Sequence, residues 1–228
     1  MKFLLTNDDG IDAPGILALE QAASQLGDCI IVAPDRPLSG CGHRVTTGEA
    51  LHLQKHGPNK YSLSGTPADC ARIGIHEVAG GVDWVLSGIN KGGNLGWDVF
   101  PSGTVAAARE ATFLGKQSLA ISQYHKKGVP IDWDLAAKWT TSILQEVFEN
   151  DLPSEQFWNV NLPHLPEEQA LPERIYCELD TNALPIRFRV EEDKYHYDAS
   201  YHLRERRHDR DVGICFSGKI ALTKLSLR

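Results

Sequence analysis

Residues 3–10 of the chain have the sequence FLLTNDDG, in which a short apolar run ends at two adjacent aspartates. The apolar part predicts a buried first strand, and Gly10 permits a sharp turn directly after it. Burial of an unpaired charge is unfavourable, so Asp8 and Asp9 require a positive partner. Because open parallel sheets bind ligands beyond the carboxyl ends of their strands, this turn is the first candidate for a metal site. The alternative is that one aspartate only caps the helix that follows.

The composition is that of an ordinary globular protein, with 228 residues, 42% hydrophobic residues and a formal net charge of -7. This acidic balance argues against binding to duplex nucleic acid, which would need a basic stripe. Five cysteines without a CxxC pair favour free thiols in a reducing compartment. No signal peptide precedes the first strand, and no apolar run is long enough to span a membrane. We therefore expect a cytoplasmic protein without a membrane partner.

Short apolar runs alternate with helical patterns in the first two thirds of the chain. The runs are dense in Ile, Val and Leu, which is typical of strands buried on both faces. We predict strands at Lys2–Thr6, Cys29–Ala33, Asp83–Ser87, Ser118–Ser122 and Phe157–Asn161. Capping residues, proline or glycine predict helices that start near Pro14, Thr66, Gly103 and Asp134. This alternation predicts a parallel sheet with helices on both faces, an α/β fold.

Two stretches depart from this alternation. Between residues 44 and 63, short alternating pieces predict small β-ribbons at Arg44–Thr47, Ala50–Gln54 and Lys60–Leu63. From residue 163 onward, prolines, mixed charges and short strand-like runs predict an irregular β-rich segment. We therefore divide the chain into an α/β domain of residues 1–162 and a β-rich extension of residues 163–228.

A polar loop at residues 34–43 follows the second predicted strand and should lie beside the aspartates. In this loop Ser39 contributes a hydroxyl, Gly40 an unhindered backbone amide and His43 an imidazole. Taken without its context, the loop would be interpreted as an ordinary surface connection.

Two further loops should reach the same edge of the sheet. Residues 87–96, SGINKGGNLG, follow the third strand and carry Asn90 and Asn94. Their amides could bind an anion, although the spacing matches neither a Walker A loop nor the dinucleotide-binding fingerprint. The sequence SGT at 102–104 starts a helix, where free amides and two hydroxyls suit a phosphate. A plain serine cap is an equally supported alternative there.

The potential ligands in these loops are two carboxylates, a serine hydroxyl and an asparagine carbonyl, all hard oxygen donors. Such donors select Mg²⁺, Mn²⁺ or Ca²⁺ over zinc. The sequence therefore predicts a site for a hard divalent cation.

These loops resemble those of the SurE family, the stationary-phase survival proteins that act as metal-dependent nucleotidases. Four motifs occur in the family's order, which makes the resemblance highly specific. The matching segments are LLTNDDGIDAPGI at 4–16, VAPDRPLSGCGH at 32–43, SGTPADC at 64–70 and VLSGINKGGNLGWDVFPSGTVAAAREA at 85–111, with NVNLP at 159–163 also fitting.

The resemblance implies a Rossmann-like three-layer α/β/α core with a mostly parallel sheet. It also implies a C-terminal part that makes oligomer contacts, in a homodimer or homotetramer. One divalent cation per subunit, Mg²⁺, Mn²⁺ or similar, would be held by Asp8, Asp9, Ser39 and Asn90, and the two aspartates would be catalytic. The implied activity is hydrolysis of nucleoside monophosphates at the 5′ position, with the 3′ position and short polyphosphate as further options.

We predict that a second group of residues binds the phosphate and the substrate: Gly40, His43, Asn94, Ser102, Gly103 and Thr104. The alternative is a non-catalytic nucleotide- or metal-binding module of the same fold. A haloacid-dehalogenase phosphatase is disfavoured, since the first strand is not followed by the Asp-x-Asp and hydroxyl pattern of that class. The chain departs from the family at Pro101, where many relatives have tyrosine, and in residues 163–211, so substrate preference and oligomer geometry stay open.

Overall fold

The computed structural model describes residues 1–150, 152–165, 171–198 and 201–228. These ranges contain eleven strands: β1 Lys2–Thr6, β2 Asp28–Pro34, β3 Leu53–Gly57, β4 Lys60–Leu63, β5 Trp84–Lys91, β6 Gln117–Gln123, β7 Gln156–Leu162, β8 Arg174–Tyr176, β9 Phe188–Glu191, β10 Lys194–Tyr197 and β11 Ile220–Ser226. They also contain five α-helices: α1 Pro14–Ala23, α2 Pro67–Ile73, α3 Gly103–Phe113, α4 Trp133–Phe148 and α5 Asp211–Phe216. A π-helical turn, Gly74–Val78, continues α2.

Nine of the described strands form one sheet in the order β3-β4-β2-β1-β5-β6-β7-β11-β8. The strands from β4 to β7 in this order run parallel to one another, and helical crossovers connect them in chain order except from β2 to β4. Helices α1 and α4 pack together on one face of the sheet, and α2 and α3 on the other. The prediction of a Rossmann-like three-layer α/β/α core with a mostly parallel sheet is therefore confirmed.

The central strand β1 shows why its sequence lacks polar alternation. Phe3 and Leu5 belong to the core cluster beneath α1 and α4, whereas Leu4 belongs to the cluster beneath α2. Successive side chains of a strand point to opposite faces, so a strand covered on both sides needs apolar residues at every position. Polar residues begin where β1 extends beyond the two apolar core clusters that cover its faces.

Helix starts agree with the capping signals in the sequence. Thr66 and Asp69 form a reciprocal capping box at α2, in which each side chain accepts from the other residue's backbone N–H, at 3.2 and 2.9 Å. Asp132 caps α4, the 16-residue longest helix among the described residues. In those same ranges, no helix combines the length and the apolar character that a membrane span requires.

Three strand predictions were wrong. The ribbon predicted at Ala50–Gln54 begins too early, because β3 runs from Leu53 to Gly57. Residues 44–47 form no strand, because the N–H and hydroxyl of Thr46 donate to the Asp69 carboxylate at 2.9 and 2.7 Å. Strand β5 does not end at Ser87 but continues to Lys91, with an irregularity in its pairing to β6. Gly88, at a φ of +143°, permits this irregularity, after which the strand resumes its pairing.

The C-terminal part of the chain contributes to the main sheet. Strand β11 pairs antiparallel with β7 and parallel with β8, so it lies inside the nine-stranded sheet. Strands β9 and β10 form a separate antiparallel hairpin whose residues are all exposed. Residues 166–170 and 199–200 of the predicted extension lie outside the described residues. The division of the chain at residue 163 stays a prediction.

Candidate metal and phosphate site

Hydrogen bonds from its first residue stabilise the aspartate turn, residues 7–10. The side-chain amide of Asn7 donates to the carbonyl oxygen of Gly10 at 2.8 Å, and its Oδ1 accepts from the Gly10 N–H at 3.2 Å. Gly10 has a φ of +100°, and a Cβ there would lie 3.3 Å from the carbonyl carbon of Arg36. The turn therefore requires glycine, and it places both aspartates at the carboxyl end of β1.

Asp8 is 4% exposed and lies against the start of α3. The Thr104 hydroxyl donates to its Oδ1 at 2.5 Å, and a Cβ on Gly103 would be 2.9 Å from the Cβ of Asp8. Burial, reinforced by the charge of Asp9, raises the pKa of Asp8 to about 6, although hydrogen bonds from Thr104 act in the opposite direction. A nearby cation would favour the ionised form of this carboxyl.

Asp9 and Asn90 are brought together by the end of β5. The backbone N–H of Lys91 donates to Oδ2 of Asp9 at 3.0 Å. The side-chain amide of Asn90 donates to the carbonyl oxygen of Gly92 at 2.8 Å, which orients its Oδ1 as an acceptor. No other partner of the Asp9 carboxylate or of the Asn90 Oδ1 occurs among the described residues. Each residue therefore keeps one oxygen available for a ligand.

The loop around Ser39 is tied to both neighbouring elements. The N–H of Leu38 donates to the carbonyl oxygen of Asp8 at 2.8 Å, and the N–H of Gly42 donates to that of Pro101 at 3.0 Å. Residues 38–42 thus run from the aspartate turn to the residue before the α3 cap. Ser39 itself is exposed, and so is Gly40, which has a φ of +71°.

The chemistry of this donor set fits a hard divalent cation. Two carboxylates, one of them desolvated, stand next to a neutral amide oxygen, and the Ser39 hydroxyl lies in the adjoining loop. Within the described residues, no group of three or more His, Cys, Asp and Glu side chains is placed to hold a metal ion. A cation at the aspartate turn would therefore combine two carboxylates with neutral oxygens.

Two side chains at the start of α3 form hydrogen bonds, one with Asp8 and one that caps the helix itself. Ser102 is buried, and its Oγ accepts from the N–H of Val105 at 3.0 Å, so the serine-cap interpretation of this residue is correct. The hydroxyl of Thr104 is committed to Asp8. The serine cap uses the N–H of Val105, so the N–H of Gly103 remains the candidate anion donor in the first turn of the helix.

Asn94 is held in place by neighbours on β6 and β7. Its carbonyl oxygen accepts from the side-chain amides of Asn159 and Asn161 at 2.9 and 3.0 Å, and its N–H donates to Asn161 Oδ1 at 2.8 Å. Its own side-chain amide donates to Ser122 Oγ at 2.8 Å. Asn159 and Asn161 were missed as site residues in the sequence. Two asparagines near the carboxyl end of an otherwise apolar, buried strand are the pattern that could have indicated them.

His43 interacts further along α3. Its Nε2 lies 2.7 Å from Oε2 of the buried Glu110, whose Oε1 accepts from Arg72 at 2.5 Å. Its ring also stacks on Phe113, with the ring centroids 5.7 Å apart. Glu110 is seven residues beyond Gly103, so this cluster lies about 10 Å along the helix from its start. The Glu110 cluster was not anticipated from the sequence.

Cys41 is a further neighbour of the site that carried no recognisable signal in the sequence. A Cβ on Gly103 would lie 2.9 Å from its Sγ. Burial and the nearby Asp8 raise the pKa of the thiol, so it stays protonated near neutral pH. Gly103 is thus required by close packing on two sides, from Cys41 and from Asp8.

Comparisons with known proteins agree with the geometry. The family model described as "Survival protein SurE" matches residues 3–182. The chain belongs to the SurE family. A SurE relative from Nostoc sp., which carries a provisional 5′-nucleotidase name, is 49% identical over 225 residues, covering 99% of both chains. The 5′-nucleotidase SurE of Geotalea daltonii is 44% identical over 173 residues, covering 75% of this chain and 69% of that protein.

A solved SurE structure supports the same conclusion about the fold. The crystal structure of the SurE protein from Aquifex aeolicus superimposes with a TM-score of 0.89 at 34% sequence identity, covering 100% of this chain and 94% of that chain. The three-layer core of the SurE fold is therefore present in this chain.

Proposed function

We propose that this chain is a divalent-metal-dependent nucleotidase that hydrolyses nucleoside monophosphates to nucleoside and phosphate. The 5′-nucleotidase names of its relatives support the reaction class. The observation that carries the proposal is the buried Asp8 beside Asp9, in direct contact with the start of α3. Hydrolysis at the 3′ position is a further part of the proposal.

The residues that would hold the cation are Asp8, Asp9, Ser39 and Asn90. When bound, a Mg²⁺ or Mn²⁺ ion would supply Lewis-acid polarisation of the phosphoryl group and lower the pKa of a water molecule. All four residues offer hard oxygen ligands, which suits either ion. One such ion per subunit is the proposed cofactor.

The chain's own groups would position the phosphate. The candidate donors are the backbone amides of Gly40, in the loop bonded to Asp8, and of Gly103, at the start of α3, whose dipole favours an anion. Asn94 is the candidate side-chain contact, since four hydrogen bonds hold it rigidly. Phosphoryl transfer depends mainly on such positioning and on charge stabilisation.

The proton steps involve residues that are already oriented. The hydrogen bond from Thr104 fixes Oδ1 of Asp8, which makes Asp8 the candidate base for the attacking water. Direct attack by the same carboxylate is the alternative route. Protonation of the leaving alkoxide by His43 would require its Nε2 to leave Glu110 first.

The experiment is a phosphate-release assay on nucleoside 5′- and 3′-monophosphates with Mg²⁺, Mn²⁺ or Co²⁺, before and after treatment with EDTA. We expect turnover that EDTA abolishes and the added cation restores. Asp9→Ala and Asn90→Ala should each lower the rate at least about hundredfold while the protein stays folded. Asp12→Asn is the matched control, because that side chain near the same turn is 89% exposed.

Two results would contradict the proposal. One is near-normal turnover of Asp9→Ala or Asn90→Ala at saturating Mn²⁺. The other is tight nucleotide binding by the wild-type protein without any release of phosphate, which would indicate a non-catalytic binding module.

We also propose that the enzyme works in the cytoplasm as a homodimer or homotetramer, on a small nucleotide and not on duplex nucleic acid. Five free cysteines support a reducing compartment. The net charge of -7 disfavours a nucleic-acid surface.

A further inference from the structure

A second concave feature lies at the same edge of the sheet as the aspartate turn. This cavity, which we name the α4 cavity, has a volume of about 210 Å³. It lies at the carboxyl ends of β6 and β7, against the first turns of α4. Its walls include Gln123, Ile131, Leu135, Trp139 and His164. None of these residues belongs to the candidate metal site.

The α4 cavity is linked to the metal site through backbone pairing. Gln123, the last residue of β6, pairs with Lys91 on β5, and its carbonyl oxygen accepts from the Gly92 N–H at 3.0 Å. Lys91 in turn donates to the Asp9 carboxylate. Gln123 is therefore two strands away from the aspartate turn, a distance of about 10 Å. A ligand could lie across the ends of β5 and β6 and reach both places.

The walls of the α4 cavity combine apolar side chains with polar groups, among them the Asp132 carboxylate at the start of α4. Ile131 and Leu135 are partly buried, and the indole of Trp139, 4% exposed, closes the inner side. Burial lowers the pKa of His164, so its imidazole is neutral near pH 7 and adds no charge to the wall. Such a lining favours a flat, uncharged heterocycle over a phosphate or a carboxylate.

Gln123 adds one oriented hydrogen-bond acceptor to this mixed lining. Its side-chain nitrogen donates to the carbonyl oxygens of Tyr124 and Pro163 at 3.1 and 2.9 Å, which uses both of its hydrogens. Its Oε1 has no partner among the described residues. Gln123 can therefore only accept a hydrogen bond from a ligand, and it would select a ligand that presents an N–H.

We propose that the α4 cavity binds the base of a nucleoside monophosphate whose phosphate lies at the aspartate turn. This assignment rests on the proposed nucleotidase function. The volume is below the roughly 300 Å³ at which sites for drug-sized ligands begin, so it fits one heterocyclic base rather than a whole nucleotide. The acceptor on Gln123 favours a base edge that presents an N–H, such as the exocyclic amino group of adenine.

The test compares a nucleotide with a phosphomonoester that has no base. Ile131→Trp fills the cavity from the loop that covers it, and should raise KM for adenosine 5′-monophosphate about tenfold. The same variant should hydrolyse glycerol phosphate with a kcat/KM within about twofold of wild type. Leu53→Trp, which adds the same bulk to the exposed β3 strand at the far edge of the sheet, is the matched control.

Several outcomes separate the two proposals. If the wild-type protein releases no phosphate from any nucleotide, the nucleotidase function itself is wrong. If the wild-type protein releases phosphate, and Ile131→Trp either keeps the wild-type KM or loses activity on both substrates equally, only the assignment of the α4 cavity is overturned. Should Ile131→Trp fail to fold, Ile131→Ala removes wall area without adding bulk and should raise the same KM selectively. Free adenosine, titrated calorimetrically, should bind wild type and not the tryptophan variant.

Discussion

At the scale of single residues, the contact between Thr104 and Asp8 gives the site its orientation. The hydroxyl is fully buried and donates to Oδ1 at 2.5 Å. Thr104→Val keeps the shape of the side chain and removes this donor, so the carboxylate loses its fixed direction. We expect nucleotidase activity, or apparent affinity for Mn²⁺, to fall about tenfold to hundredfold. Steady-state kinetics across a Mn²⁺ titration would measure both quantities.

Thr104→Ser is the control for this prediction, because it keeps the hydroxyl and should retain most of the activity. Equal activity of the valine and wild-type enzymes over the whole Mn²⁺ range would mean that the hydrogen bond does not orient Asp8 for function.

The buried Asp8 also predicts a pH dependence of stability in the metal-free protein. Its pKa is raised from 3.8 in the unfolded reference to about 6 in the fold, so the native state binds its proton more tightly. The contribution to stability is therefore present at acid pH and is lost as the pH rises from about 4 to 6. A shift of this size corresponds to an order of 1–3 kcal/mol.

This pH dependence can be isolated by comparing wild type with Asp8→Asn. Urea denaturation in EDTA at pH 4.5 and 7.5 should show a larger loss of stability in wild type than in the variant. Saturating Mn²⁺ should reduce that difference, because a bound cation favours the ionised carboxylate. Identical pH profiles for the two metal-free proteins would count against a raised pKa for Asp8.

The sequence was sufficient to find the polar side chains of the site but not their partners. Asp8 and Asp9 stand out because carboxylates directly follow a buried strand. Thr104 was predicted to bind phosphate, whereas its hydroxyl donates to Asp8 in the structure. Such a pairing joins positions 96 residues apart, and no local pattern encodes it. Which hydroxyl bonds to which carboxylate depends on how α3 packs on β5 and β6.

At the scale of elements, the site depends on how closely α3 approaches the aspartate turn. Gly103→Ala would improve the intrinsic helix propensity, yet its Cβ would lie 2.9 Å from both Asp8 Cβ and Cys41 Sγ. Either the helix start or the carboxylate must move, and displacements of this size can reduce rates about hundredfold. We expect kcat to fall by more than tenfold, as measured by phosphate release, with the protein still folded.

Gly48→Ala is the matched control, since a Cβ there would meet no atom within 4 Å and the residue has no positive φ. The control should keep wild-type activity. Cys41→Ala combined with Gly103→Ala should recover only part of the loss, because the contact with Asp8 remains. Full activity of the single Gly103→Ala variant would show that the helix start tolerates displacement.

Element boundaries were predictable where local chemistry alone determines them. The starts of α2 and α3 follow from their threonine and serine caps, and β1 from its apolar run. Strand β5 was predicted too short, because its last residues have the glycines and asparagines of a loop. Pairing with β6 on one side overrides that local preference. Tertiary pairing of this kind is not visible in a single sequence.

At the scale of the whole molecule, the position of β11 could not be foreseen. The short strand-like runs after residue 163 indicated β-structure, but not that β11 would insert between β7 and β8, antiparallel to β7 and parallel to β8. Residues 163–211 lack a regular period, so the path that returns the chain to the sheet leaves no signal. Much of the parallel part of the sheet was predictable because β1, β4, β5 and β6 are each followed by a recognisable helical crossover.

We propose that the exposed hairpin of β9 and β10, within the segment 163–228, makes the oligomer contact. Its apolar side chains face solvent in the single chain, with Val190 and Tyr195 paired across the strands and Phe188 paired with Tyr197. Exposed apolar groups concentrated on one element are typical of an interaction surface. We expect a homodimer or homotetramer in sedimentation velocity at micromolar concentration.

The double substitution Val190→Glu with Tyr195→Glu places like charges opposite each other on this hairpin and should shift the wild-type oligomer to a smaller species. Both side chains are more than half exposed and belong to no core cluster of the described residues, so the thermal unfolding of the subunit should change little if the hairpin serves only assembly. Lys55→Glu, on the exposed strand β3 at the opposite edge of the sheet, is the control and should leave the assembly intact. A wild-type protein that sediments as a monomer, or a double variant that keeps the wild-type assembly, would exclude the hairpin as the contact that holds the subunits together.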